Sequence, residues 1–157
     1  MGRLGIISDT HGLLRPEAAA FLQGCDRILH AGDIGSPEVL AQLSAIAPVT
    51  AVRGNNDKGV WAEAIPNVQR FAFGGICVCA IHDLSLLDLG PSESGIQVVV
   101  SGHTHKHWVE QRDGVLFVNP GSAGPRRFKL PISIGEILVE GGVISPRIVR
   151  LDNNPSA

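Results

Sequence analysis

Tyrosine is absent from this 157-residue chain, and aromatic side chains number seven, five Phe and two Trp. A surface that grips nucleic acid by stacking bases needs more of them. Positive charge is scarce as well: 13 Lys and Arg stand against 15 Asp and Glu, for a net charge of −2, and no basic block occurs. Binding to a phosphate backbone draws on many cations, so no nucleic-acid partner is expected. No apolar run approaches the ~20 residues of a membrane span, so no membrane partner is expected either. The apolar N-terminal stretch is too short for a signal-peptide core, and Asp9 follows it at once. Three cysteines cannot all pair. Cys77 and Cys79 lie in an apolar run and read as buried reduced thiols, which points to a cytoplasmic protein. Repeats, low-complexity tracts and linkers are missing too.

What is present is an ordinary globular composition, 44% hydrophobic, which excludes a mainly disordered chain. At ~100–200 residues per domain, residues 1–157 make a single domain. Residues 3–8 read as a short buried strand. Pro16–Leu22 is Ala-rich and opens with Pro, as a first helical turn prefers. Strands follow at Arg27–His30 and 49–52. Between them Ser36-Pro37-Glu38 opens a helix, with Ser36 as cap. Strand–helix–strand–helix–strand signals a parallel sheet covered by helices. The second half is different. Hairpins are expected at Val68–Phe73 with Ile76–Ile81, at Trp108–Arg112 with Val115–Asn119, and at 133–139 with 143–151. A further strand is expected at 96–100. The fold class is therefore α/β, a layered sandwich in which parallel units give way to hairpins.

Side chains able to hold metal recur where these strands end. Asp9 and His11 follow the first, Asp33 the second, and Asn55 and Asp57 the third. His82 follows the strand that ends at Ile81, and His103 and His105 follow the one at 96–100. From His11 the steps are 22, 22, 27 and 21 residues, each about one strand–helix unit. Open α/β sheets place their sites at the carboxyl ends of strands. Mixed nitrogen and oxygen donors suit Mn, Fe, Zn or Ni and exclude an all-oxygen Ca or Mg cage. Leaving out Asp57, seven groups remain, more than one tetrahedral ion takes. They suffice for two divalent ions that share a carboxylate and leave room for water.

The ordered blocks Asp9-x-His11, Gly32-Asp33, Gly54-Asn55-x-Asp57, His82 and Gly102-His103-x-His105 resemble the calcineurin-like metallophosphoesterase superfamily. With Asn119-Pro120-Gly121-Ser122, they look like its compact branch of bacterial phosphodiesterases and Vps29. The resemblance implies a four-layer αββα sandwich of two mixed sheets flanked by helices. It also implies that Asp9, His11 and His105 hold one metal, that Asn55, His82 and His103 hold a second, and that Asp33 bridges them. The implied reaction is phosphoester hydrolysis by a metal-bridging hydroxide, with Asp33, Asn55, His82 and Asp57 as candidate catalytic groups. Asn55, Asn56 and Arg126 are candidate contacts to a small phosphoester substrate. For Asp57, a turn-forming hydrogen bond within its own loop competes with a direct role.

Three positions depart from the family pattern. Asn56 stands where many members carry a His that assists the leaving oxygen, and an amide cannot act as a general acid. The expected substrates are therefore diesters or aryl esters. Ser36 replaces a frequent Asp or Asn and reads as a helix cap. Asp83 follows His82 in place of a frequent Gly, and would either orient His82 or be solvated. A metal-dependent phosphodiesterase leads the functional readings. A catalytically weak, metal-binding scaffold of the Vps29 type is the alternative, and a nuclease comes third. Specificity is expected from the loops at 84–95 and 123–131. Strand edges near the C-terminus offer a route to a homo-oligomer.

Overall fold

The computed structural model describes residues 2–88, 95–127 and 129–152. Along the chain come β1 (Gly2–Ile7), α1 (Pro16–Leu22), β2 (Arg27–His30), α2 (Pro37–Ser44), β3 (Val49–Ala51), α3 (Val60–Glu63), β4 (Val68–Phe73) and β5 (Ile76–Ile81). A 3₁₀ turn at Leu84–Leu86 precedes β6 (Val98–Val100), β7 (Trp108–Arg112), β8 (Val115–Asn119), β9 (Ser133–Glu140) and β10 (Val143–Arg150).

The apolar residues of β1 serve two layers, Leu4 and Ile6 on one face and Ile7 on the other. A strand buried on both faces belongs inside a covered sheet. β1 accordingly lies third in the order β10-β9-β1-β2-β3. β1, β2 and β3 run parallel, and β9 and β10 extend the sheet antiparallel beside β1. The second sheet is ordered β4-β5-β6-β8-β7. Its central strands β5, β6 and β8 are parallel, and each hairpin contributes an antiparallel edge strand. The hairpins fall where the turn pairs predict. Asp113 and Gly114 both have positive φ, 52° and 78°, which a primed turn requires.

Leu4, Ile6, Val78, Val98 and Val118 meet between the sheets. On the far side of the first sheet, Ala18 and Leu22 of α1 and Val39 and Leu43 of α2 pack over Ile7, Ile28 and Ile134. Full burial of each such aliphatic side chain stabilises the fold by about 1.5–3 kcal/mol. The outer face of the second sheet carries Cys79, Val99 and Phe117, with Leu84 and Leu87 packed on it. The layers are thus helix, sheet, sheet, and a thin outer cover that among the described residues is the 3₁₀ turn. Two mixed five-stranded sheets with a few helices make a layered α/β sandwich, as expected.

Small differences from expectation sit at element ends. β3 stops at Ala51 and β6 starts at Val98, although the Val52 amide still donates to the His30 carbonyl and Gln97 to Cys77. Ser36 occupies the cap position of α2, but its side chain makes no capping hydrogen bond. No helix among the described residues is long and apolar enough to cross a membrane. Of the loops expected to set specificity, residues 89–94 and 128 lie outside the described residues.

The register brings five loops to one edge. Backbone amides of Asp9 and His11 donate to the Gly32 and Asp33 carbonyls at 3.0 Å each, joining the loops after β1 and β2. The Gly102 amide donates to the His82 carbonyl at 2.9 Å, joining the loops after β6 and β5. His82 then reaches across to the first sheet.

Candidate metal centre

Asp9, His11, Asp33, His103 and His105 all have left-handed backbone, with φ of 55°, 46°, 57°, 74° and 63°. Among the described residues the only other non-glycine in that region is the turn residue Asp113. Such a conformation costs an L-residue roughly 1–2 kcal/mol. It persists only where surrounding structure imposes it, and such residues cluster at functional sites.

Two glycines permit the crowding. A Cβ at Gly54 would lie 2.1 Å from Asp33 Oδ1, and one at Gly102 would lie 2.0 Å from Ser8 Oγ and 2.7 Å from Asp9 Oδ2. Only a residue without a side chain lets these loops approach the two carboxylates.

Asp9 is fully buried. Its Oδ2 accepts from Ser8 Oγ at 2.6 Å and from the His103 amide at 3.1 Å, which leaves Oδ1 aimed inward without a hydrogen-bond partner. His105 Nε2 lies 3.4 Å from that oxygen, His11 Nε2 3.8 Å and His82 Nε2 3.9 Å. Asp33 Oδ2 lies 3.3 Å from His82 Nε2 and 3.8 Å from His11 Nε2. His82 Nδ1 is 2.8 Å from the Ala31 carbonyl. A carbonyl only accepts, so Nδ1 carries a proton and Nε2 is the ring nitrogen that faces the pocket. His82 Nε2 and His105 Nδ1, like Asp9 Oδ1, are buried without a hydrogen-bond partner.

Buried polar atoms are almost always paired, so three orphans in one pocket call for an explanation. Two carboxylates and three imidazoles supply one. Asp9, His11 and His105 present ligand atoms within 4.8 Å of one another, and so do Asp9, Asp33 and His82. This donor set fits a divalent cation. Asp9 is common to both groups, whereas the resemblance gave the bridging place to Asp33. Asn55 and His103 stand slightly apart, with His103 Nδ1 3.2 Å from Asn55 Oδ1 and the His103 ring edge-on to His82, centroids 5.2 Å apart.

The electrostatics follow this arrangement. Burial alone would raise the Asp33 carboxyl, but His82 and the Asn56 amide outweigh it and hold the pKa well below the carboxylate range. Burial likewise opposes ionisation of Asp9, and His105, Ser8 and His82 overcome it, so its pKa is lowered. Burial would depress His82; the facing Asp33 and Asp9 carboxylates reverse that and raise it. The pocket therefore holds two ionised carboxylates and draws in positive charge.

Other expected site residues are placed differently. Asp57 is buried, and its carboxylate accepts from the Gly54, Ile34 and Gly35 amides at 2.9, 3.1 and 2.9 Å. It ties its own loop to that of Asp33, the turn-forming role that competed with a direct one. Asn56 donates from its backbone and side-chain amides to both oxygens of Asp33, at 2.9 and 3.1 Å. Arg126 pairs with Asp152, and the neighbouring Arg127 lines the cavity beside His103 and His105 instead. Asp83 neither orients His82 nor is left to solvent alone. It accepts from the Ser85 amide and hydroxyl and caps the 3₁₀ turn.

Several residues support the site without being ligands, among them both ends of the Asn119-Pro120-Gly121-Ser122 block. Asn119 Nδ2 donates to the Gly102 carbonyl at 3.0 Å and holds the loop after β6. Ser122 Oγ donates to the Asp9 carbonyl at 3.1 Å. Thr10 Oγ1 donates to the Ile34 carbonyl at 2.8 Å and lies 2.9 Å from Nε2 of the fully buried His30. Burial pushes the His30 pKa down to about 4. The signal for these residues is hydroxyl and amide side chains just beyond apolar strands; their targets lie far along the chain.

Residues 3–141 match the profile of the calcineurin-like phosphoesterase superfamily domain. A probable metallophosphoesterase from Methanothermobacter thermautotrophicus is 34% identical over 160 residues, covering 94% of this chain and 91% of that one. A solved archaeal phosphodiesterase is 25% identical with a TM-score of 0.77, covering 94% of this chain and 99% of that one. Vps29 from Chaetomium thermophilum shares the fold with a TM-score of 0.77 at 18% identity, covering 96% and 97% of the two chains.

Proposed function

The chain belongs to the calcineurin-like phosphoesterase superfamily, and on that premise we propose that it is a cytoplasmic phosphodiesterase working with two divalent metal ions on a small phosphoester. The observation that carries this reading is the convergence of orphaned buried donors, Asp9 Oδ1, His82 Nε2 and His105 Nδ1, among left-handed ligand residues. Asp9, His11 and His105 would hold one ion, and Asn55, His82 and His103 the other, with Asp33 between. Ions bound there supply a low-pKa water and positive charge against the phosphoryl oxygens. Similarity to a solved archaeal phosphodiesterase, at 25% identity, supports the substrate class.

The chain's own residues shape the rest. His82 is fixed by the Ala31 carbonyl, so its Nε2 stays turned to the centre. Asn56 clamps Asp33 and offers no acidic proton to a leaving group. General acid assistance is worth 10²–10⁴-fold, so leaving groups that need little protonation are favoured. Aryl diesters are then turned over far better than alkyl monoesters.

The test is hydrolysis of bis-(p-nitrophenyl) phosphate by Mn-loaded protein beside Asp33→Asn. The reading expects turnover that falls at least 100-fold in the variant. No turnover by folded, Mn-bound wild type would overturn it and favour a binding protein of the Vps29 type.

A further inference from the structure

Two cavities flank the His82–His103 ring pair, and their walls differ in chemistry. The smaller, about 380 Å³, meets the centre at Asn55 and His82; Val68, Ile81 and Leu86 give it an aliphatic side, and Arg53, Asn67 and Asp83 a polar one on which one cation and one anion offset each other. Val68 and Leu86 are 44% and 67% exposed, so apolar surface faces the opening. Its one cation, Arg53, donates through Nε to Asn67. The larger cavity, about 980 Å³, meets the centre at His103 and His105, and its outer wall holds Lys106, Arg127 and Lys129.

Among the described residues, no acidic side chain lines the larger cavity. Among the described residues, none of its three cations makes an ion pair, as Arg3, Arg112, Arg126, Arg147 and Arg150 do; Arg15, Arg27, Arg53 and Lys58 are also without one, but only Lys106, Arg127 and Lys129 share one cavity wall. The chain as a whole carries a net charge of −2. Three unpaired cations on one wall are therefore a local concentration of positive charge, beside His103 and His105. A cleft lined by one sign of charge raises the local concentration of oppositely charged ligands, and guanidinium forks suit phosphate and carboxylate. A plain diester, singly charged at its phosphorus, gives this wall nothing to hold.

We propose that the substrate is a phosphodiester bearing a second anionic group, phosphate or carboxylate, which Lys106, Arg127 and Lys129 bind, while an uncharged apolar substituent lies toward Val68 and Leu86. This rests on the phosphodiesterase reading and sets the orientation of the substrate across the centre.

A matched pair of esters tests it. Thymidine 5′-(p-nitrophenyl phosphate) and its 3′-phosphorylated counterpart share the scissile bond and the leaving group and differ by one remote phosphate. With Mn-loaded wild type, the 3′-phosphate should lower KM at least 10-fold and leave kcat within 2-fold. In Lys106→Gln/Arg127→Gln/Lys129→Gln the KM ratio should shrink below 3-fold, with kcat/KM for the unphosphorylated ester nearly unchanged. Equal ratios in wild type and variant would overturn the proposal. A second readout needs no turnover. Metal-free wild type should bind thymidine 3′,5′-bisphosphate at least 10-fold more tightly than thymidine 5′-monophosphate, and the triple variant should not. Failure of both esters to react would remove the phosphodiesterase reading. Equal affinity of wild type and variant for the bisphosphate would remove the cationic subsite, whatever the activity.

Discussion

His30 shows how far a single side chain can be bound to the site without touching a ligand. It is fully buried, accepts at Nδ1 from the Gly32 amide at 3.1 Å, and lies against Thr10. Its folded pKa of about 4 stands below the ordinary 6.5. Between those values the unfolded chain takes up a proton that the folded chain does not. The His30 contribution is therefore fully present above pH 6.5 and is lost as pH falls toward 4, at about 1.4 kcal/mol per unit. Urea unfolding at pH 7 and pH 5 should show a larger acid loss for wild type than for His30→Gln, both metal-free. Equal losses would contradict the assignment. The left-handed residues belong to this scale too: Asp9, His11, Asp33, His103 and His105 pay backbone strain that loop contacts sustain.

At the scale of elements, the loop after β6 is wedged against the end of β1. Gly102 faces Ser8 Oγ and Asp9 Oδ2 across a gap that admits no Cβ. Gly102→Ala should push the loop away from Asp9, where the His103 amide now donates. Overpacking costs about 1–3 kcal/mol. The expected outcome is a melting temperature lowered by several degrees and Mn affinity weakened at least 10-fold, read by thermal melts and Mn titration. An unchanged affinity would contradict the coupling.

Elements were also the most legible level of the sequence. Gly74-Gly75, Asp113-Gly114 and Gly141-Gly142 between apolar runs announced three hairpins, and all three form. Donors at strand ends were legible because chain polarity and unit length send Asp9, His11, Asp33, His82 and His105 to one edge. What the donors' neighbours do was not legible. Asp57 serves amides 22 and 23 residues back as well as its own loop, and Asn119 serves a loop 17 residues away. Local spacing does not encode such pairs. Arg126 and Arg127 are adjacent in an irregular segment without periodicity, so nothing in the pattern says which one turns to Asp152 and which to the cavity.

At the scale of the molecule, the two sheets close against each other through Leu4, Ile6, Val78, Val98 and Val118, and the site is their shared edge. His82 from the second sheet bonds Ala31 of the first, and Asp9 from the first takes the His103 amide of the second. Metal bound at this edge would tie the sheets together and stabilise the fold by mass action. Mn should therefore raise the melting temperature of wild type and do so much less for Asp9→Asn. The central claim is that the buried, unpartnered donors are metal ligands, and the most direct test is the number of Mn ions bound per chain, measured by native mass spectrometry. The account predicts two for wild type and fewer for Asp9→Asn; a folded wild-type chain that binds none would contradict it.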